Sequence, residues 1–208
     1  MAAASNFDVF FGALFEAFQE NRHVDIKLKS GDGTIVNAHK IFLSARSKVF
    51  RVMLEADECK TSRDETITLS ELKHKELEAL LEFLYKGSLT ADKLKLHVRP
   101  LYLAADKYDI PYLQDVCRNH LISNLNSSSA LDMLELSSVL SDDALNKSAL
   151  DFVKKNIKDI AVLSEFDSFV ERNPKLTVEF IKELTAGRCG WCGRDSGGAR
   201  LTTHAVIW

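Results

Sequence analysis

The chain has 208 residues with 27 basic and 30 acidic side chains, so no global field steers it toward nucleic acid or an anionic membrane. That length accommodates one good core and a second, smaller helical unit. No apolar run approaches the roughly 18 residues that a bilayer span needs, and the N-terminus lacks the basic-then-apolar order of a secretory signal. Four cysteines, Cys59, Cys117, Cys189 and Cys192, show no framework spacing. A soluble intracellular protein, cytoplasmic or nuclear, is the expectation.

Residues 1–6 are small and polar and are expected to fray. Phe7, Phe10, Phe11, Leu14, Phe15 and Phe18 then share one helical stripe. Each ring, once fully buried, contributes roughly 1.5–3 kcal/mol. This helix either lies on its own domain's core or packs across a subunit boundary, because little else precedes the first strand for it to cover. Val24, Ile26 and Leu28 alternate with Asp25, Lys27 and Lys29, the mark of a half-buried strand. A second strand over 34–38 completes a hairpin around Gly31-Asp32-Gly33, where glycine permits a positive φ.

Ile41, Phe42, Ala45, Val49, Val52 and Met53 fall at steps of three and four and predict one helical face, broken near Ser47, whose hydroxyl can cap a new turn. Residues 55–65 are charged, without periodicity, and read as an exposed loop; 66–69 form a short β-rich segment. Leu77, Leu80, Leu81 and Leu84 define a helix ended by Gly87. Another covers 101–108, and Pro111 opens the next, with Leu113, Val116, Cys117, His120 and Leu121 in period. Cys117 and His120 stand one turn apart with nothing near to complete a metal site, so they read as core-facing residues.

Asn126-Ser127-Ser128-Ser129 is the clear break in composition, its hydroxyls suited to helix capping. Helical stripes follow: Ala130, Leu131, Leu134; Leu145, Ala149, Phe152, Val153, Ile157; Val162, Phe166, Phe169, Val170; and, past Asn173-Pro174, Leu176, Phe180, Ile181, Leu184. Short polar connections suggest a small helical bundle. From Arg188 the character changes to glycine-rich and non-periodic, expected to be a disordered tail. Cys189 and Cys192 form a lone C-x-x-C with only His204 as a third ligand at no recognised spacing, which does not make a zinc site.

Several motifs carry a family resemblance. Asp25 on the first strand, Ala38-His39-Lys40 followed by Leu43, and Ser47-x-x-Phe50-x-x-Met53 resemble the signature of BTB/POZ domains. Leu80-Leu81-Glu82-Phe83-Leu84-Tyr85-Lys86-Gly87 and Ala104-Ala105-Asp106-Lys107-Tyr108, with Leu113 and Cys117 after it, match as well and stand in the right order. The resemblance implies an α+β fold, a small sheet flanked by helices, over residues 24–125. Residues 1–23 would supply a dimerisation helix and 126–187 a short BACK-like helical extension, leaving 188–208 as the tail. This architecture resembles a plant group.

The resemblance also implies partners. Family members commonly dimerise through the N-terminal helix, here Phe7, Phe10, Phe11, Leu14, Phe15 and Phe18, with Asp25 and Lys40 in a charged pocket near that interface. The family's cullin-binding members dock cullin-3 on the helix holding Phe50 and Leu54, the loop after it with Glu58 and Cys59, and the turn with Tyr108, Asp109, Pro111 and Tyr112. A substrate-specific adaptor of a cullin-3 ubiquitin ligase, with an unknown protein substrate, is the reading. In place of the hydrophobic-x-Glu motif of many cullin binders, this loop reads Glu55-Ala56-Asp57-Glu58-Cys59-Lys60-Thr61-Ser62. A BTB scaffold that touches no cullin is the first rival, and a potassium-channel tetramerisation domain the second. No phosphate loop, nucleophile elbow or H-E-x-x-H helix is present. An enzyme, a cofactor, a nucleic-acid partner and a membrane partner are therefore not expected.

Overall fold

The computed structural model describes residues 6–57 and 66–185, with side chains at 12–55 and 66–184. It divides into two compact units between Asn124 and Leu125.

The first unit opens with α1 (Asn6–Gln19), followed by β1 (Ile26–Ser30) and β2 (Ile35–Ala38). The strands pair antiparallel, Ile26 opposite Ala38. Both strands begin later than the sequence pattern places them, because Val24 and Asp25 precede the ladder and Thr34 closes the turn by accepting the Ser30 N–H at 2.9 Å. The two turn glycines serve different ends. Gly33 supplies the positive φ, +86°. Gly31 makes room instead: a Cβ there would lie 2.1 Å from the Ser70 carbonyl oxygen.

Next come α2 (Lys40–Arg46), α3 (Lys48–Asp57) and β3 (Thr66–Leu69), which lies parallel to β1 and gives the sheet order β2-β1-β3. Helix α3 reaches into the segment read as loop, whose residues 58–65 lie outside the described chain. The helices α4 (His74–Lys86), α5 (Ala91–Lys107) and α6 (Pro111–Ser123) complete the unit. Gly87 ends α4 in the left-handed region and Pro111 opens α6, as the sequence predicts. Helix α5, in contrast, begins at Ala91 rather than near 101, with the Thr90 hydroxyl accepting the Lys93 N–H at 3.4 Å and Pro100 inside it. None of residues 91–100 is fully buried, but Leu94 and Val98 are half-buried and continue the Leu101–Ala105 face at steps of four and three, a stripe the sequence reading passed over. Leu28, Leu43, Phe50, Leu69, Leu80, Tyr85, Tyr102 and Cys117 are fully buried at the centre of the unit.

The second unit consists of α7 (Ala130–Leu140), α8 (Asp143–Ile160), α9 (Ser164–Arg172) and α10 (Pro174–Thr185). Its core gathers Leu131, Leu134, Leu145, Ala149, Val153, Phe169 and Phe180. Two readings are corrected here. Val162 belongs to no helix and is 81% exposed, in the connection ahead of α9. The serines at 127–129 give α7 no side-chain cap; the Asn126 carboxamide oxygen accepts the Ser128 and Ser129 amides at 3.1 Å each, closing an Asx turn. The working cap is Asp142, which accepts from Ala144 and Leu145 at 3.1 and 3.0 Å at the start of α8.

Candidate interaction surface

Ser47 lies between α2 and α3 and serves three bonds. Its N–H donates to the Leu43 carbonyl at 3.0 Å, ending α2, and its Oγ accepts the Phe50 N–H at 3.0 Å, capping α3. The same hydroxyl donates to the carbonyl of Tyr108, the residue that caps α5. The predicted break at Ser47 is therefore real, and it ties α3 to the α5–α6 turn. The Phe50 ring stacks on Tyr108 with centroids 4.5 Å apart and planes 4° from parallel. Beyond the stack the Tyr108 hydroxyl donates to Glu71, which also pairs with Lys107 at 2.9 Å. Burial alone would raise the Glu71 carboxyl; the Tyr108 and Lys107 hydrogen bonds outweigh it and hold the group below its ordinary value. Burial and the neighbouring carboxylate push the Tyr108 phenol well above its own.

This cluster corrects the sequence reading of the α2–α3 face. The buried stripe runs Leu43, Ser47, Phe50, Leu54, whereas Ile41 is 67% exposed, Val52 64% and Met53 36%. Apolar residues on the outside imitated a core face. Phe50, Leu54 and Tyr108 are accordingly buried, offering almost no surface to a partner and supporting the surface from beneath. Asp109, Pro111 and Tyr112 do reach solvent, with Tyr112 61% exposed and its ring tilted against Phe83, centroids 5.6 Å apart. Lys48, Arg51, Val52 and Met53 join them, none of which sequence reasoning assigned to a surface. Their signal was the mismatch between two competing helical stripes on one short segment. Glu58 and Cys59 lie outside the described residues.

Asp25 meets the main chain of Lys40. The Asp25 carboxylate accepts the Lys40 backbone N–H at 2.7 Å at the entry to α2. Both line a cavity of about 470 Å³ with Ile41, Ser44, Arg51 and Glu55.

Helix α1 covers its own unit with part of its stripe. Phe18 stacks on Tyr85 of α4 at 4.7 Å, Phe15 lies 5.6 Å from Phe18, and Lys86 Nζ stands 4.0 Å over the Phe15 ring. The Tyr85 hydroxyl accepts the His39 N–H at 3.0 Å and meets His39 Nδ1 at 2.6 Å, while Nε2 contacts the Arg22 carbonyl at 2.7 Å. A carbonyl only accepts, so this network assigns the proton of a neutral His39 to Nε2 and makes Tyr85 the donor to Nδ1. Leu14 is half-buried; the side chains of Phe7, Phe10 and Phe11 lie outside those described. Cys117 is fully buried, which pushes its thiol up to about 12, and His120 is half-buried. The Cys189–Cys192 pair and His204 lie outside the described chain.

Comparison with known proteins agrees with this architecture. The BTB/POZ domain family matches residues 14–125. A BTB/POZ domain-containing protein of Arabidopsis thaliana is 48% identical over 183 residues, spanning 88% of this chain and 87% of the relative. Another from the same plant is 46% identical over 205 residues, spanning 94% and 91%. Among solved structures, the BTB domain of zebrafish PATZ1 aligns with a TM-score of 0.47 and 18% identity over 56% of this chain and 92% of that one. With a sheet-and-helix unit bearing the family's motifs, a family match over more than half its length and relatives near 50% identity, the chain belongs to the BTB/POZ domain family of protein-interaction modules.

Proposed function

We propose that the chain is a substrate-specific adaptor of a cullin-3 RING ubiquitin ligase, homodimeric and working in the cytoplasm or nucleus. The observation that supports this reading is the outward exposure of Val52 and Met53 on α3 and of Tyr112 on α6, two helices tied together through the Ser47–Tyr108 bond and the Lys48–Asp109 pair. Exposed apolar side chains on elements joined in this way suit a docking surface. The buried Phe50–Tyr108 stack and the Ser47 bonds hold that surface rigid, so binding costs little ordering entropy. The mechanism is proximity: one face holds the ligase and another the protein substrate, raising the effective concentration of substrate lysines.

The segment after α3 favours a second reading, a dimerising scaffold that touches no cullin. It lacks the hydrophobic-x-Glu motif at the expected place: with Cys59 in the apolar slot, Thr61 stands where the glutamate would be. Losing one such anchor costs about 1–2 kcal/mol, roughly tenfold in affinity. Calorimetric titration with the N-terminal domain of cullin-3, alongside light-scattering mass, separates the two. Sub-micromolar binding at one cullin per chain on a dimeric mass supports the adaptor. No heat at tens of micromolar, about the weakest binding the method resolves here, leaves the scaffold.

A further inference from the structure

Helices α7, α8 and α10 leave an apolar groove open within the second unit. Leu134 of α7, Leu150 of α8, and Leu176 and Phe180 of α10 line a cavity of about 440 Å³, with Glu179 and Glu183 on its polar edge. Leu134 and Phe180 are buried, whereas Leu150 and Leu176 are only half-buried, so part of this apolar lining meets water. The size falls within the roughly 300–1,000 Å³ of sites that accept a small organic group, one aromatic side chain among them. The residues that follow α10 supply such a side chain. Helix α10 ends at Thr185, within a turn of Glu183, so the chain leaves the helix at one end of the groove. Residues 186–208, outside the described residues, show no helical stripe, yet they carry both tryptophans of the chain, Trp191 and Trp208. Along α10 the lining runs from Leu176 to Glu183, about 10 Å at the helical rise. The six residues from 186 to 191 span up to about 20 Å, so Trp191 reaches the whole groove once Gly187 lets the backbone reverse. Charge agrees with reach: residues 125–185 hold eleven acids against seven bases, and residues 186–208 hold three arginines against one aspartate. Arg188 and Arg194 bracket Trp191, three positions to either side.

We propose that residues 186–194 fold back onto their own second unit, with Trp191 seated among Leu134, Leu150, Leu176 and Phe180 and the flanking arginines turned toward Glu179 and Glu183. A short tether holds the segment at an effective concentration on the order of millimolar, so a contact too weak to persist between separate molecules suffices here. Docked, the segment closes the groove to other proteins, which must displace it to enter. This contact is independent of whether a cullin binds the first unit.

Because both tryptophans lie in this stretch, the fluorescence of the full chain reports on it alone. The test uses W208F, which leaves Trp191 as the sole reporter, under reducing conditions, with W191F as the matching reporter of Trp208. Docking requires Trp191 to emit to the blue of free tryptophan amide and to resist acrylamide quenching several-fold better than Trp208. Two groove substitutions are then added to W208F: L150D on the half-buried lining and E179K on the exposed edge. The proposal requires the emission to move toward the red in both, with helical circular dichroism unchanged. Should L150D lose its helical signal, E179K decides alone, since it alters only an exposed side chain. Solvent-like emission from Trp191 in W208F overturns the proposal. A blue-shifted Trp191 that the folded groove variants leave in place overturns it too, because the ring is then buried elsewhere. Emission that turns red on dilution places the segment on a second copy and overturns the fold-back.

Discussion

Ser47 caps one helix and clamps another with a single hydroxyl, and its side chain is almost wholly buried. Ser47→Ala leaves the Tyr108 carbonyl and the Phe50 amide short of a partner, for an expected loss of about 1–3 kcal/mol in urea unfolding. Glu82 behaves differently. Its carboxylate, 7% exposed, is held by Lys86 at 3.0 Å and by Lys93. Burial acts to raise its pKa, but the two lysines outweigh that and lower it. With the folded pKa depressed, its contribution is present above the ordinary carboxylate range and fades as pH falls. The double variant K86M/K93M strands the buried charge, at an expected cost of about 2–3 kcal/mol near neutrality, moderated because both lysines keep contact with water. Its sign also reverses: burial then dominates, so the variant regains stability as pH drops toward 5 while wild type does not. Urea midpoints at pH 5 and 8 check this.

At the scale of elements, α3 divides cleanly into an inside and an outside. Phe50→Ala empties a fully buried site beside Tyr108 and is expected to cost about 3–5 kcal/mol. Val52→Asp, on the exposed face, is expected to stay within about 0.5 kcal/mol of wild type in stability, and under the proposed adaptor function to abolish cullin-3 binding. A large stability loss at Val52 would sink the assignment of that face to a partner. The α1–α4 junction has an alkaline signature. Burial first, with the Asp25 charge adding to it against the His39 N–H bond, pushes the Tyr85 phenol up to about 12. With the folded pKa above the ordinary value near 10, its contribution is full below that value and lost as pH rises through about 12. Tyr85→Phe is expected to flatten part of the fall in stability above pH ~10, leaving the part that Tyr108 contributes in the same direction.

At the scale of the molecule, the question is how many chains assemble. Part of the aromatic stripe of α1 packs on Tyr85 of its own unit, so the proposed dimerisation through α1 would use the remaining face. Ala13 lies exposed on that helix. Light scattering is expected to give twice the chain mass of 23.3 kDa for wild type and the single-chain mass for Ala13→Glu, with unchanged helical circular dichroism. A dimeric A13E protein would move the interface elsewhere.

What could be read from the residues was whatever depends on neighbours in the chain. The break at Ser47, the Gly87 and Pro111 boundaries, the hairpin and the stripes of α4 and α6 all follow from period and local hydrogen bonding, and the ordered motifs sufficed to name the family. What failed depended on distant partners. Period alone cannot say which of two apolar stripes on α2–α3 faces inward; Tyr108, far along the chain, decides by stacking on Phe50. Gly31 is needed because Ser70 passes close by, and β3 runs parallel to β1 across a long connection, neither of which local pattern records. The first half of α5 only half-buries Leu94 and Val98, so its stripe stands out poorly against the charged residues and the exposed Leu96 around it. The chain dictated its elements; long-range packing chose which of their faces meets water, and with it which residues are left for a partner.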